Sequence, residues 1–274
     1  MPYDPTIYQG SAGYYARGRP AYSPMLASIL AAELGLDGTG RLLDIGCGPG
    51  ILTIGLADRF SHVIGLDPDA AMLAEGARRA AEARIENIRW VRALAEDLPG
   101  LALGAFKLVT FGQSFHWTAR EQVAEAVYDI LEPGGALALI SHVHEGRPQP
   151  PGPGHPPIPH DAIRALIERF LGPQRRAGQG FAPTHADRYE DALARTRFGL
   201  PRRLFAPGRA DIVRNIDDVL AGYFSMSYAA PHLFGDSRTA FETAMRAELA
   251  ARSPSGLFWD WPGDTEILVA GKPA

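Results

Sequence analysis

From residue 41 onward the chain switches repeatedly between short apolar runs and amphipathic stretches, and this alternation restricts the fold of its 274 residues more than any other feature. RLLDI (41–45), HVIGLD (62–67), IRWVRA (88–93), FKLVTFG (106–112) and ALALISH (136–142) are apolar through most of their length. They read as strands buried on both faces. Between them, PGILTIGLADRF (49–60), PDAAMLAEGARRAAEAR (68–84) and TAREQVAEAVYDIL (118–131) carry helical spacing. Strands that alternate with helices predict an α/β fold, a doubly wound and mostly parallel sheet covered by helices on both sides. Asp69 is placed to cap the second of these helices, and Thr118 with Glu121 three residues on has the spacing of a capping box for the third.

The flanks read differently. Residues 1–20 are rich in Tyr and Gly, with Tyr3, Tyr8, Tyr14, Tyr15, Arg17 and Arg19, too aromatic for a disordered tail. Ser23 and Pro24 predict an N-cap and first position for a helix that ends at Gly35. EGRPQPPGPGHPPIPH (145–160) is too rich in proline and glycine for a packed element and is expected to run over the surface. Helical patterns follow at 161–172, 185–196, 215–227 and 237–253, with a strand expected within 198–208. LFWDWPGDTEILVAGK (257–272) is expected to close the chain as a hairpin or a single strand. The expected division is an N-terminal arm with a lid helix (1–35), a core (36–144), a proline-rich loop and helical cap containing one core strand (145–252), and a final core strand (253–274).

Charge and cysteine content narrow the function. With 27 Lys and Arg against 31 Asp and Glu, and no basic cluster, nucleic acid is not an expected partner. The single cysteine, Cys47, excludes an internal disulfide and offers no zinc-ligand spacing. The N-terminal residues lack a signal-peptide pattern, and no run reaches the roughly eighteen apolar residues of a membrane span. A soluble cytoplasmic protein, monomer or homodimer, is the expectation.

The stretch DIGCGPG (44–50) places Gly46, Gly48 and Gly50 where a strand hands over to a helix. Such a turn lets a ligand lie against bare backbone. The spacing is GxGxG, unlike the GxGxxG of dinucleotide sites, and Asp44 stands two residues ahead of the first glycine. An acid there suits an ammonium group and opposes a pyrophosphate. Asp67 ends the second apolar run, where a carboxylate can accept ribose hydroxyls or cap the next helix. Glu96 and Asp97 follow the third, in reach of an adenine amine. Three acidic loops side by side suit a cationic amino-acid nucleoside.

DIGCGPG, GLDPD, AEDLP and LEPGG, in this order, resemble the class I S-adenosylmethionine-dependent methyltransferases, in particular a small-molecule subgroup in which the fourth strand runs into Q-x-F-H-W. The resemblance covers residues 12–144 and, more loosely, the terminal segment. It implies a Rossmann-like seven-stranded sheet with the last strand antiparallel, S-adenosyl-L-methionine as methyl donor, S-adenosyl-L-homocysteine as product, and no metal. It places the methionine moiety at the glycine loop, Gln113 and Arg19, the ribose on Asp67, and the adenine among Pro68, Met72, Ala95, Glu96 and Asp97.

Methyl transfer from a sulfonium is an in-line displacement, which requires positioning and, for a protonated acceptor, a base. His116 in FGQSFHW is the expected base, with Tyr15 as a second catalytic candidate. An imidazole titrating near pH ~6.5 suits a phenol, a carboxylic acid or a ring NH. Tyr14, Tyr22, Trp117, Tyr223, Phe224 and Tyr228 are expected to line the acceptor site, with His142 and His144 as further linings. These residues point to O-, N- or C-methylation of a small aromatic or otherwise planar metabolite. The alanine, arginine and proline content resembles that of high-GC bacteria, in which tailoring enzymes of secondary metabolism are common. A non-methylating descendant that retains the cofactor pocket and a nicotinamide-dependent oxidoreductase are the alternatives.

Overall fold

A computed structural model describes residues 4–143, 152–178, 180–181 and 187–274; Tyr3, His144 and the first half of the proline-rich stretch lie outside the described residues. In chain order the strands are β1 (Arg41–Ile45), β2 (His62–Asp67), β3 (Ile88–Arg92), β4 (Phe106–Gly112), β5 (Leu131–Val143), β6 (Arg176–Ala177), β7 (Gly180–Phe181), β8 (Arg202–Ala206), β9 (Ile212–Asn215), β10 (Leu257–Asp260) and β11 (Asp264–Gly271). The helices are α1 (Ala12–Gly18), α2 (Leu26–Leu34), α3 (Ile51–Gly55), α4 (Ala70–Glu82), α5 (Arg120–Ile130), α6 (His160–Leu171), α7 (Tyr189–Ala194), α8 (Ile216–Phe224) and α9 (Arg238–Arg252). The chain divides into two compact units, residues 22–143, 183–207 and 264–274 in one and residues 1–21, 144–182 and 208–263 in the other.

The first unit is built on a seven-stranded sheet in the order β3-β2-β1-β4-β5-β11-β8. β3, β2, β1, β4 and β5 are mutually parallel, and β11 runs antiparallel to both β5 and β8. Because side chains alternate across a strand, successive residues feed two separate cores. Leu43, Ile45, Ile64, Leu66, Val109 and Phe111 meet Val123, Ala124 and Val127 of α5 and Leu193 of α7 on one face. Leu42, Val63, Leu108, Ile140 and Ile267 meet Leu26 and Leu30 of α2 and Leu52 of α3 on the other. Both faces are therefore dry, which is why these strands read as continuous apolar runs.

One expected helix start holds and one is corrected. Regular α2 begins at Leu26, and the turn ahead of it opens at Ser23, whose Oγ accepts from the Met25 amide at 3.2 Å and whose carbonyl accepts from the Leu26 amide at 3.0 Å. The Ser23 hydroxyl also donates to Pro207 O at 2.6 Å, and its amide donates to Thr265 Oγ1 at 2.8 Å. The capping box at Thr118 is absent: Thr118 Oγ1 donates to Phe115 O, Glu121 pairs with Arg195, and the amide of Ala119 at the helix start donates to Glu96 Oε1 at 2.8 Å. Asp69 does cap α4, accepting from the amides of Ala71 and Met72.

The second unit packs α6, α8 and α9 around Ile163, Leu166, Val219, Phe224, Phe234, Phe241, Met245 and Phe258. Gly18 of α1 lies so close to α8 that a Cβ would sit 2.2 Å from the backbone of Ala221 and Gly222. β9 and β10 pair antiparallel, and their buried Arg214 and Asp260 form an ion pair at 2.5 Å. The terminal hairpin is also corrected: β10 pairs with β9 in this unit, whereas β11 joins the large sheet. Between them lie Trp261, Pro262 and Gly263, the last at φ 82°, and the proline has no amide to continue a ladder. The expected division moves accordingly, with residues 22–35 and 183–207 joining the sheet and 253–263 joining the helices. The described end of the proline-rich stretch is packed as well, since Ile158 is buried and its amide donates to Trp259 O at 3.2 Å.

Candidate cofactor and acceptor site

The chain leaves β1 through a loop whose three glycines all take positive φ, Gly46 at 64°, Gly48 at 53° and Gly50 at 75°. The amides of Gly46 and Cys47 donate to Leu66 O at 2.8 and 3.1 Å, tying the loop to the end of β2. At Gly46 a Cβ would meet the Ser114 side chain at 2.5 Å, and Ser114 Oγ donates to Ile45 O at 2.6 Å. The loop after β4 is thus pinned against the glycine loop. Trp90 supports it from β3: a Cβ at Gly50, Gly65 or Gly76 would collide with its indole at 2.5, 2.8 or 2.7 Å. Sequence reading missed Trp90, although a tryptophan in a strand flanked by elements with glycine at their closest approach was the available signal.

Asp44 is buried at 1 % exposure on β1. Its carboxylate accepts from Thr53 Oγ1 at 2.6 Å and Thr110 Oγ1 at 2.8 Å. Burial pushes its pKa up to about 6, against the pull of the two threonine hydroxyls. Asp67, at the end of β2, accepts from the amides of Gly48 at 2.8 Å and Asp69 at 2.9 Å. Burial raises it, too, to about 6, with the backbone donors opposing. Asp69 takes the cap, so Asp67 is not the helix cap. Among the described residues neither acid has a basic side chain in an ion pair, so two adjacent buried carboxyls share a site with hydroxyl and amide donors alone. A cationic ligand carrying hydroxyls fits that donor set. Cys47, buried beside both acids, has its thiol pushed well up by burial and then by their charges, the opposite of a reactive thiol.

The remaining expected cofactor contacts are in the same unit, apart from Arg19. Met72 and Ala95 are buried, and Pro68 O accepts from Arg92 Nε at 3.1 Å. Asp97 accepts from the Leu94 amide at 2.9 Å, and Glu96 bonds to Ala119 as above. Gln113 sits at φ 54°, uncommon for a residue with a side chain, with its amide donating to Ile140 O at 2.9 Å. Strain of this kind recurs where a backbone is aimed at a ligand.

At the carboxyl edge of β4 the Tyr22 hydroxyl lies over Gly112, 2.9 Å from where a Cβ would stand, and its ring stacks on His142 with centroids 4.9 Å apart. His116 and Trp117 follow in a short 3-10 turn, their rings 4.9 Å apart. Tyr189 of α7, a residue not singled out in the sequence, places its hydroxyl 3.1 Å from His116 Nδ1.

The other candidates belong to the helical unit. Arg19 donates to Ser225 O at 3.1 Å and lies 4.8 Å over the Tyr15 ring. Tyr14 accepts a hydrogen bond from Arg238 at 2.6 Å. Tyr223 is buried, its hydroxyl 2.8 Å from His160 Nδ1 and its pKa raised by burial. Tyr228 lies under Arg175 at 4.6 Å. Phe224 is corrected from an acceptor contact to a core residue: it is fully buried among Phe234, Phe241 and Tyr14. Its position in α8 points it into the apolar cluster, which periodicity alone did not separate from its neighbours. No group of acids, histidines and cysteine able to hold a metal occurs among the described residues.

Residues 42–135 match the family model described as a methyltransferase domain. The sheet order, the glycine loop, the acids behind it and this match agree. The core is a class I S-adenosylmethionine-dependent methyltransferase domain. The chain is 32% identical over 134 residues, 48% of its length and 45% of the relative's, to a Saccharomyces cerevisiae protein named as an S-adenosylmethionine-dependent methyltransferase. It is 30% identical over 171 residues, 61% of its length and 55% of the relative's, to trans-aconitate 2-methyltransferase of Mycobacterium tuberculosis. The chain thus spans about half the length of these curated relatives. In fold it resembles a solved Anaeromyxobacter dehalogenans protein titled as a type II methyltransferase, with a TM-score of 0.54, 19% identity and coverage of 93% of this chain and 97% of that one. S-adenosylmethionine is the cofactor of this domain class, and the residues of the glycine loop fit it. No helix among the described residues is long and apolar enough to cross a membrane.

Proposed function

We propose that the chain is an enzyme that methylates a small, planar metabolite with S-adenosylmethionine as donor. The observation that carries this reading is the pair of buried carboxyls, Asp44 and Asp67, gathered at a glycine loop with no ion-paired base among the described residues. An ammonium near Asp44 and a ribose diol on Asp67 would give both acids the partners they lack, with Gln113 and the loop amides on the methionine moiety and Pro68, Met72 and the Ala95–Asp97 segment around adenine. The bound donor supplies an electrophilic methyl carbon. The protein's part is to hold the acceptor in line with that carbon, exclude water, and manage the acceptor's proton.

Tyr22 and Trp117, partly buried in the sheet unit beside the end of β4, offer aromatic faces of the kind that bind planar molecules, whereas Tyr223 of the helical unit is buried with its hydroxyl on His160. His116 is the catalytic residue in this reading, a base for an acceptor that arrives protonated and a hydrogen-bond donor for one that arrives ionised. The named relative that methylates trans-aconitate supports a small planar substrate.

Calorimetry with S-adenosylhomocysteine and with NAD tests the reading. Micromolar affinity for the first and none for the second is expected; absence of heat with S-adenosylhomocysteine up to millimolar concentration sinks it.

A further inference from the structure

Gly65 and Gly76 have no backbone reason to be glycine. Gly65 lies inside β2 and Gly76 inside α4, and neither takes a positive φ. Glycine is a poor residue for the interior of a strand or a helix, because it offers nothing to pack and loses more freedom on folding than any other residue. What the two positions share is Trp90 of β3. Trp90 stands beside Gly65 in the parallel register of β2 and β3, and a Cβ on Gly65 would be 2.8 Å from its Cε3 and Cζ3. A Cβ on Gly76 would be 2.7 Å from Cη2 and 2.8 Å from Cζ3. The indole therefore lies across β2 with its far edge against α4.

The same edge reaches the glycine loop. A Cβ on Gly50 would be 2.5 Å from Cη2 and 3.2 Å from Cζ3. The six-membered ring thus rests against Gly50 of the loop and Gly76 of α4 together, in each case against bare backbone. A second contact ties the same two elements: Arg79, about one turn beyond Gly76, donates from Nη1 to Pro49 O at 2.7 Å. The ring keeps the loop from moving closer to α4, and the guanidinium keeps it from moving away. The first half of the loop is fixed by other groups, Leu66 O on the amides of Gly46 and Cys47 and the Asp67 carboxylate on that of Gly48.

We infer, on the methyltransferase reading, that Trp90 is a positioning residue for the methyl donor: with Arg79 it fixes the separation of the glycine loop from α4 that a bound donor has to span. That reading puts the methionine moiety at the loop and the adenosine at Asp67, Pro68 and Met72, the last in the first turn of α4. A molecule that touches both elements gains both sets of contacts in full only if their spacing is held before it arrives, because any ordering of the protein on binding is subtracted from affinity. A molecule that touches one element alone is indifferent to the spacing. Trp90 acts on the link between the two halves of the donor, and so favours the whole molecule over its nucleoside fragment.

Calorimetry with two probes tests this: S-adenosylhomocysteine, which carries both halves, and methylthioadenosine, which keeps the nucleoside and thioether and lacks the amino-acid end. Trp90→Phe removes the far edge of the indole and keeps an aromatic ring. It is expected to weaken S-adenosylhomocysteine by about tenfold or more and methylthioadenosine by less than about twofold. Gly76→Ala drives a methyl group into that edge from α4 and is expected to have the same selective effect. It improves the helix propensity of its position, so its loss of affinity does not come from a weakened helix, and it carries the test if Trp90→Phe does not fold. In the double variant the methyl group takes space that the phenyl ring vacates, and S-adenosylhomocysteine affinity is expected to return to within about threefold of wild type. Equal losses for the two probes, no loss for either, or a double variant that only adds the two single losses overturns the spacing role. A wild type that binds both probes equally well overturns it too. If the wild type binds neither probe, the methyltransferase reading falls and the spacing role with it.

Discussion

The two units handle buried charge in opposite ways. In the helical unit Arg214 and Asp260 face each other across β9 and β10 at 2.5 Å, a closed pair that needs nothing further. In the sheet unit Asp44 and Asp67 are buried with hydroxyls and amides as their partners and no ion-paired base among the described residues. A buried ion pair is an internal solution to desolvation, whereas buried acids without a counter-charge leave part of that cost standing. The difference marks the acids as the place where the proposed function puts a cationic ligand.

The comparison breaks most severely if Arg214 is removed. Arg214→Met leaves Asp260 buried and alone, and a loss of about 3–5 kcal/mol is expected in urea unfolding followed by tryptophan fluorescence. A loss below about 1 kcal/mol would mean that the pair is solvated and the contrast false.

Asp44→Asn runs the other way. Folding lifts the Asp44 carboxyl from its ordinary value to about 6. A group raised on folding contributes its stability in full below its unfolded pKa and loses it as pH rises through the folded one. The unliganded wild type therefore carries a charged, destabilising Asp44 at pH 8 that it sheds between about pH 6 and 4. Asp44→Asn is expected to be about 1–3 kcal/mol more stable than wild type at pH 8, with the gap closing near pH 4. Its affinity for S-adenosylhomocysteine should fall by at least about tenfold, as one lost charge-assisted contact implies. Destabilisation at pH 8 with unchanged affinity would assign Asp44 to structure.

Gly18→Ala sharpens the comparison within the helical unit. The added Cβ meets backbone 2.2 Å away, with no flexible side chain to yield, so a loss of about 1–3 kcal/mol and unchanged binding of S-adenosylhomocysteine are expected. Gly46→Ala meets a side chain instead, that of Ser114, but at φ 64° inside the loop. Its larger effect should be on binding, measured by calorimetry. The smallest effect belongs to Arg209→Ala, which removes an exposed ion pair to Asp211 and should leave the melting temperature unchanged.

How much of this was legible beforehand varies with the range of the interaction. The five leading strands, the glycine loop, the Asp69 cap and the acids at 44 and 67 came from local pattern, because a strand buried on both faces must be apolar and a loop with three positive-φ positions is most readily built from glycine. The capping box at Thr118 failed because its signature is local while the group that takes the amide at the helix start, Glu96, is distant in sequence; the equally local cap at Ser23 held, with Oγ accepting from the Met25 amide. The same reason hid Phe224 in a hydrophobic core and separated β10 from β11.

The sequence by itself determined the class of sheet, the positive-φ glycine loop after β1 and the acids that flank it, since periodicity, glycine spacing and acidic residues act within a few positions of themselves. Only the tertiary structure decided that Thr53 and Thr110 hold Asp44, that Trp90 underpins the loop, and that the Tyr189 hydroxyl meets His116 while Arg120 lies over the Tyr189 ring. Each of these joins side chains of different elements, which no pattern within one element carries.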